Sequence, residues 1–197
     1  RRVTVLEASD GIGGRVRTDT VEGFRLDRGF QVLLTAYPEV AHQLDLAALH
    51  PRRFSPGAVV HTGGGYPRAA FSTLADPLRM PLKVPLGALA PVGSIADKLR
   101  LAALLLRLRR ADPVALLRAT DRTTLESLRA DRFSTQMIDR FFRPLIGGIQ
   151  LDPALSGSAR MFETILHCLA AGDSAVPAHG MQAIPQQLAD RLPALAL

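Results

Sequence analysis

The sequence predicts an α/β chain, α+β overall, and three stretches carry that expectation. An apolar run, Val3, Val5 and Leu6, ends at the acid Glu7 and is followed by a glycine-rich turn, Gly11-Ile-Gly13-Gly14-Arg15. Residues 51–91 hold prolines at 51, 56, 67, 77, 81, 85 and 91 between short apolar runs such as Ala58-Val-Val-His61, which reads as strands separated by turns. From Ser94 onward the apolar residues recur at helical spacing.

The first run suits a parallel strand covered on both faces, where alternation is lost. Such a strand delivers Glu7 to the carboxyl edge of its sheet. Open α/β sheets bind ligands there, and an acid at that edge accepts hydrogen bonds from both hydroxyls of an adenosine ribose. Gly13 and Gly14 let the backbone approach a ligand closely, and Arg15 brings a planar guanidinium suited to phosphate oxygens. Val16-Arg-Thr-Asp-Thr20 and Phe24-Arg-Leu26 alternate around Glu22-Gly23, which predicts a β-hairpin. Tyr37, Val40, Ala41, Leu44 and Ala48 predict a helix over 36–49, with Thr35 as N-cap and Pro38 in the first turn.

In the proline-rich stretch, Gly63-Gly-Gly65 reads as a hairpin turn, because Pro67 leaves no room for a phosphate-binding helix. His61 has no second metal ligand at ligand spacing, and no metal role is assigned. Ser94 and Asp97 form a capping-box start, and Ile95, Leu99, Ala102 and Leu106 are the face expected to be buried. Arg107, Arg109 and Arg110 sit where a helix C-terminus favours cations. Two readings stay open for this helix: a covering helix with solvated arginines, which is favoured, and a basic amphipathic helix resting on a membrane. Asp112-Pro113 and Thr123 to Glu126 mark two more helix starts, and Ser134 a third, with Met137, Ile138, Phe141 and Phe142 inward and Pro144 bending or ending it. That cluster reads as core, with a pocket for an apolar substrate as the other reading. Ser158 to Ala171 predicts a helix with Met161, Ile165, Leu166 and Leu169 inward and Gly172 as its stop. Val176 to Met181 is extended, and Gln182 to Leu192 is helical with Pro185 in its first turn and Pro193 ending it.

Composition bounds the function. At 197 residues and 47% hydrophobic content the chain buries a sizeable core. No apolar run approaches the length of a membrane span. Cys168, the lone cysteine, excludes an intrachain disulfide and reads as a small buried apolar residue. The net charge of +6 comes from dispersed arginines, with Lys83 and Lys98 as the only lysines, and aromatic residues make up 5%. A nucleic-acid reader needs a clustered basic stripe with interleaved aromatics, so nucleic acid is not an expected partner. No Ser/His/Asp or Cys/His constellation is present, and no residue is assigned as catalytic.

The apolar run, Glu7-Ala8, and Gly13-Gly14-Arg15 followed by Val16-Arg17-Thr18 together resemble the second strand and following loop of the flavin-containing amine oxidase and phytoene desaturase superfamily. Leu26-Asp-Arg-Gly29-Phe-Gln31, Phe142-Arg-Pro-Leu-Ile-Gly-Gly148-Ile and Val176-Pro-Ala-His-Gly180-Met181-Gln-Ala-Ile-Pro185 extend the resemblance over nearly the whole chain. It implies that Glu7 holds the FAD ribose, that Gly13, Gly14 and Arg15 lie along the pyrophosphate, and that Gly29, Gly180 and Met181 lie beside the flavin. His179 stands where many relatives carry glycine and is an unassigned candidate for projecting into the site.

The architecture so implied is a partial Rossmann-like FAD/NAD(P)-binding domain over 1–35. A substrate domain over 36–178 follows, with a small antiparallel sheet and a helical cluster from about 94, and then a return segment over 179–197. The dinucleotide fingerprint belongs about 20 residues before the ribose acid, and the chain starts six residues before Glu7 without an initiator Met. An internal part of a longer enzyme is therefore expected. The implied function is an FAD-dependent oxidoreductase taking hydride from an amine or an apolar polyene, inactive as this part alone. It is expected in the cytoplasm, with peripheral membrane contact left open. The alternatives are a non-catalytic protein that keeps the fold to bind a lipid or a partner, and an NAD(P)-binding oxidoreductase.

Overall fold

Short strands joined by tight turns, and helices with well-formed caps, make up the chain. The structure, a computed structural model, describes residues 6–29, 32–63, 70–76 and 79–192. In order the elements are β1 (Thr18–Val21), β2 (Phe24–Asp27), β3 (Leu33–Leu34), α1 (Pro38–Gln43), β4 (Arg52–Arg53), β5 (Gly57–Gly63), β6 (Ala70–Ala75), α2 (Val84–Ala88) and α3 (Ile95–Arg109). Then come α4 (Pro113–Arg118), α5 (Thr124–Ala130), α6 (Thr135–Met137), α7 (Arg143–Gln150), α8 (Ala159–Ala171), β7 (Ser174–Val176) and α9 (Ala183–Ala189). The chain forms two compact units, Arg1–Phe54 with Gly172–Leu197, and Ser55–Ala171.

In the first unit β1 and β2 pair antiparallel, with Thr18 opposite Asp27 and Val21 opposite Phe24. The two turn residues, Glu22 and Gly23, both have positive φ, 50° and 84°, as a two-residue hairpin turn of matching twist requires. A second sheet runs β3-β7-β4, antiparallel throughout. Every strand pair among the described residues is antiparallel. Of the parallel strand expected to begin the chain, residues 3–5 lie outside the described residues. Leu6, expected to be buried in it, is 91% exposed.

The helix expected over 36–49 is shorter. It spans Pro38–Gln43 with Tyr37 at its N-cap, and Leu44 is already extended. Thr35 does not cap it, because its hydroxyl accepts the Asp173 N–H at 2.8 Å. Asp45 Oδ1 accepts the Ala48 N–H at 3.1 Å, a local side-chain bond that competes with helix continuation.

The second unit begins with the antiparallel pair β5–β6, and residues 64–69 between the two strands lie outside the described residues. The end of the proline-rich stretch forms no strand. Pro81–Lys83 is a 3-10 turn leading into α2, where Pro85 occupies a first-turn position and its missing N–H is no loss. α3 starts in the expected box, with Ser94 and Asp97 each accepting the other's backbone N–H. Its buried face, however, is Asp97, Leu101, Leu104 and Leu108, and the expected face of Ile95, Leu99 and Leu106 is exposed. The helix is apolar on two sides, and Asp97 decides which turns inward, because its carboxylate is also bonded to Ser134.

Asp112, Thr123 and Ser134 cap α4, α5 and α6 as expected. Pro144 neither ends nor breaks the helical run. The turn before it, Ile138–Phe142, is a π turn, and such a turn loosens the ladder where proline supplies no donor. Met137, Ile138, Phe141 and Phe142 are buried core, joined by Leu128, Ile146, Phe162 and Leu166. Phe142 meets Phe133, Phe141 and Phe162 edge-on at 4.8, 5.1 and 6.0 Å between ring centres. α8 buries Phe162, Ile165, Leu166 and Cys168, while Met161, expected inward, is exposed. Burial pushes the Cys168 thiol above its ordinary value, in keeping with a structural cysteine.

Candidate cofactor site

The glycine-rich turn is shaped by short-range hydrogen bonds. The Ser9 N–H donates to Glu7 Oε1 at 2.8 Å, the Ser9 hydroxyl to the Gly11 carbonyl at 2.9 Å, and the Val16 N–H to the Gly13 carbonyl at 2.8 Å. Glu7 is exposed, and the Ser9 N–H holds its carboxyl below the ordinary range. Gly14 has φ +53°, and a Cβ there would meet nothing within 4 Å, so the loop is open on that side. Arg15 is exposed and has no ion pair among the described residues.

Arg17 folds back beneath the loop. Its side chain is 13% exposed, with Nη1 2.6 Å from Asp10 Oδ1, and the pair draws the Asp10 carboxyl below its ordinary value. Its guanidinium lies 3.7–4.0 Å from where a Cβ on Gly11 would stand. Arg17 Nε is buried and has no hydrogen-bond partner among the described residues.

The end of β2 runs against this loop. A Cβ on Gly29 would drive into the Arg15 carbonyl oxygen, and the Arg28 N–H donates to the Arg17 carbonyl at 2.8 Å. Phe30 and Gln31 of the same motif lie outside the described residues. The return segment closes on the hairpin: Gly180, at φ +88°, would place a Cβ 2.5 Å from Thr18 Oγ1 and Cγ2. Asp27 Oδ1 accepts both the Met181 N–H, at 2.9 Å, and the Thr18 hydroxyl. Thr18 Oγ1 in turn accepts the Gln182 N–H at 3.0 Å. The Met181 side chain is buried with Leu33 and Val40, and a Cβ on Gly13 would stand 2.9 Å from Pro185 Cγ on α9.

Six of the seven sequence candidates, Gly13, Gly14, Arg15, Gly29, Gly180 and Met181, thus belong to interlocking segments of the first unit. Glu7 is bonded to Ser9 and to none of the others. Asp27, Thr18 and Arg17 lie inside the quoted motifs, yet their spacing gave no sign that Asp27 would bind the return segment or that Arg17 would fold under the turn. His179 is exposed and lines a separate open depression with Arg25, His50 and Arg52. Among the described residues no three His, Cys, Asp or Glu side chains are grouped to hold a metal.

The family model for flavin containing amine oxidoreductases matches residues 1–196. The chain belongs to this family. No curated protein and no solved structure matches it significantly. Family membership makes the protein a flavin-dependent oxidoreductase with FAD as its cofactor. The described residues fit an anionic group of that kind. Gly14 leaves the loop uncovered, Arg15 is uncommitted, and the orphaned Arg17 Nε is a buried donor next to the same turn.

Proposed function

We propose that the first unit holds FAD through Glu7, Gly13, Gly14, Arg15, Gly29, Gly180 and Met181 in a Rossmann-like setting, and that the stretch over 36–178 supplies the substrate side. The substrate is an amine or an apolar polyene that gives up hydride from a C–H bond. FAD, when bound, supplies the two-electron acceptor for that transfer. The observation that carries this reading is the seam between Gly29 and Arg15, where only a residue without a side chain lets the flavin-side segment lie against the loop.

Each residue's part follows from its surroundings. Glu7, held below the ordinary carboxyl range, is ionised at neutral pH and accepts ribose hydroxyls. The uncovered Gly14 backbone and the Arg15 guanidinium receive pyrophosphate oxygens. Asp27 fixes the height of Gly180 and Met181 through the Met181 N–H. With the thioether of Met181 packed in the core, its backbone is the part presented to the site.

The test is flavin absorbance of the full-length protein after gel filtration, with Glu7→Gln beside it. Bound flavin is expected in the parent. Replacing a charged acceptor by a neutral one weakens FAD by roughly tenfold. A parent that stays colourless after reconstitution with excess FAD favours a non-catalytic binding protein, and extraction of a nicotinamide dinucleotide favours NAD(P). Unchanged FAD affinity in the variant removes Glu7 from the site.

A further inference from the structure

The segment running from the 3-10 turn through α3 presents an apolar surface that its own unit leaves uncovered. Leu82 and Leu89, on either side of α2, are 94% and 87% exposed, and Ile95 and Leu99 on α3 are 68% and 67% exposed. Single exposed leucines are ordinary on a protein surface. Ile95 and Leu99 instead border one groove, floored by Leu74, Ala75, Gly87, Ala88, Leu101 and Ala102, and a patch of that kind marks an interaction surface. Lys98 crosses the edge of the groove with its Nζ 2.6 Å from the carbonyls of both Ala88 and Ala90. That clamp holds the end of α2 against α3, so the groove is a fixed feature of the unit.

Charge indicates the occupant. Residues 81–110 contain six cations, Lys83, Lys98, Arg100, Arg107, Arg109 and Arg110, and one acid, Asp97. Asp97 is wholly buried, so no carboxylate of this stretch reaches solvent. Arg107 is paired with Glu163 at 3.1 Å, but Lys83, Arg109 and Arg110 have no ion pair among the described residues. At 100° per residue Ile95, Leu99, Leu106 and Arg110 fall on one line along the helix, which puts a free cation at the end of the exposed apolar stripe. A second copy of this face would set these cations against their own kind. An anionic lipid surface satisfies both features, with apolar side chains entering the acyl boundary and cations at the head groups. No described helix is long and apolar enough to cross a membrane.

We propose that the α2–α3 face docks the protein onto anionic membrane surfaces, with Ile95 and Leu99 inserted and Arg109 and Arg110 held at the phosphate level. The inference stands independently of the cofactor and substrate reading.

The experiment uses the full-length, FAD-loaded protein in cosedimentation with phosphatidylcholine vesicles, with and without phosphatidylserine, at low and high salt. The parent is expected to sediment with the phosphatidylserine vesicles and to be released by salt. Ile95→Ser with Leu99→Ser, the leucine variant, should lower partitioning by about tenfold or more for each apolar side chain removed. Arg109→Glu with Arg110→Glu should lower it by about fivefold for each cation removed, and only on the anionic vesicles. Both variants should keep the parent's flavin absorbance and melting temperature. Failure of the parent to sediment with either vesicle, or equal binding by the variants, overturns the proposal. A parent dimer that the leucine variant dissociates assigns the face to a second copy instead. A lowered melting temperature in the leucine variant assigns it to packing within the whole protein.

Discussion

Asp27 and Met181, 154 positions apart in the sequence, are joined by one hydrogen bond, from the Met181 N–H to Asp27 Oδ1 at 2.9 Å. Because the same oxygen also accepts the Thr18 hydroxyl, a single carboxylate at the end of β2 ties the hairpin to the return segment of the proposed FAD site. Asp27→Ala leaves both donors without this acceptor and is expected to cost about 1–3 kcal/mol of stability, with FAD affinity falling alongside. Asp27→Asn keeps an acceptor oxygen and should recover most of the loss. Urea unfolding and flavin titration of the two variants check this, and an alanine variant matching the parent in both would show the bond to be incidental.

Two glycines separate crowding from backbone strain. Gly29→Ala forces its methyl into the Arg15 carbonyl oxygen, and backbone has to move. The expected cost is about 3 kcal/mol. Gly14→Ala meets no atom and carries only the penalty of a left-handed conformation at φ +53°, about 1 kcal/mol. Denaturation midpoints should rank Gly29→Ala well below Gly14→Ala, and the reverse order would break the proposed seam between loop and strand.

What the sequence made legible was local. The Glu22-Gly23 turn, which sets Val21 opposite Phe24, and the caps at Ser94, Asp112, Thr123 and Ser134 all depend on partners within four residues, and all are present. Periodicity does not settle the inward face of α3, because Ile95, Leu99 and Leu106 are as periodic as Leu101, Leu104 and Leu108. The choice between them rests on the Asp97–Ser134 contact, 37 residues apart. The proposed site enters the sequence as motifs, through glycines that leave their own signature. Its assembly does not, since Asp27 to Met181 and Gly29 to Arg15 are contacts that spacing along a chain does not encode. For Glu7, the strand meant to carry it falls largely outside the described residues, and its ribose role rests on the resemblance.

Phe142 opens one of the motifs shared with the family, yet its ring is wholly buried against three other phenylalanines. Its role in the fold is therefore packing. Phe142→Ala should destabilise the protein by about 4 kcal/mol, as a large cavity in a core does, and Phe142→Leu by appreciably less. Thermal unfolding measures both. If the alanine variant kept its melting temperature and lost only turnover, the residue would belong to the substrate side instead.

Asp97 gives the second unit an acid-labile joint. Burial alone would raise its carboxyl, but the Ser134 N–H, the Ser94 and Ser134 hydroxyls and the Ser94 N–H all donate to it and hold it at about 2, below the ordinary 3.8. The unfolded chain therefore takes up this proton first as pH falls. Stability from the ionised carboxylate is complete above about pH 4 and disappears as pH drops through 2, and a shift of this size corresponds to about 2 kcal/mol. Asp97→Asn removes the titration and leaves one acceptor oxygen for the four donors of Ser94 and Ser134, at an expected cost of about 3 kcal/mol at neutral pH. Urea midpoints followed from pH 5 to pH 2 should show the parent converging on the variant. Parallel curves across that window would mean that Asp97 is not the group that titrates.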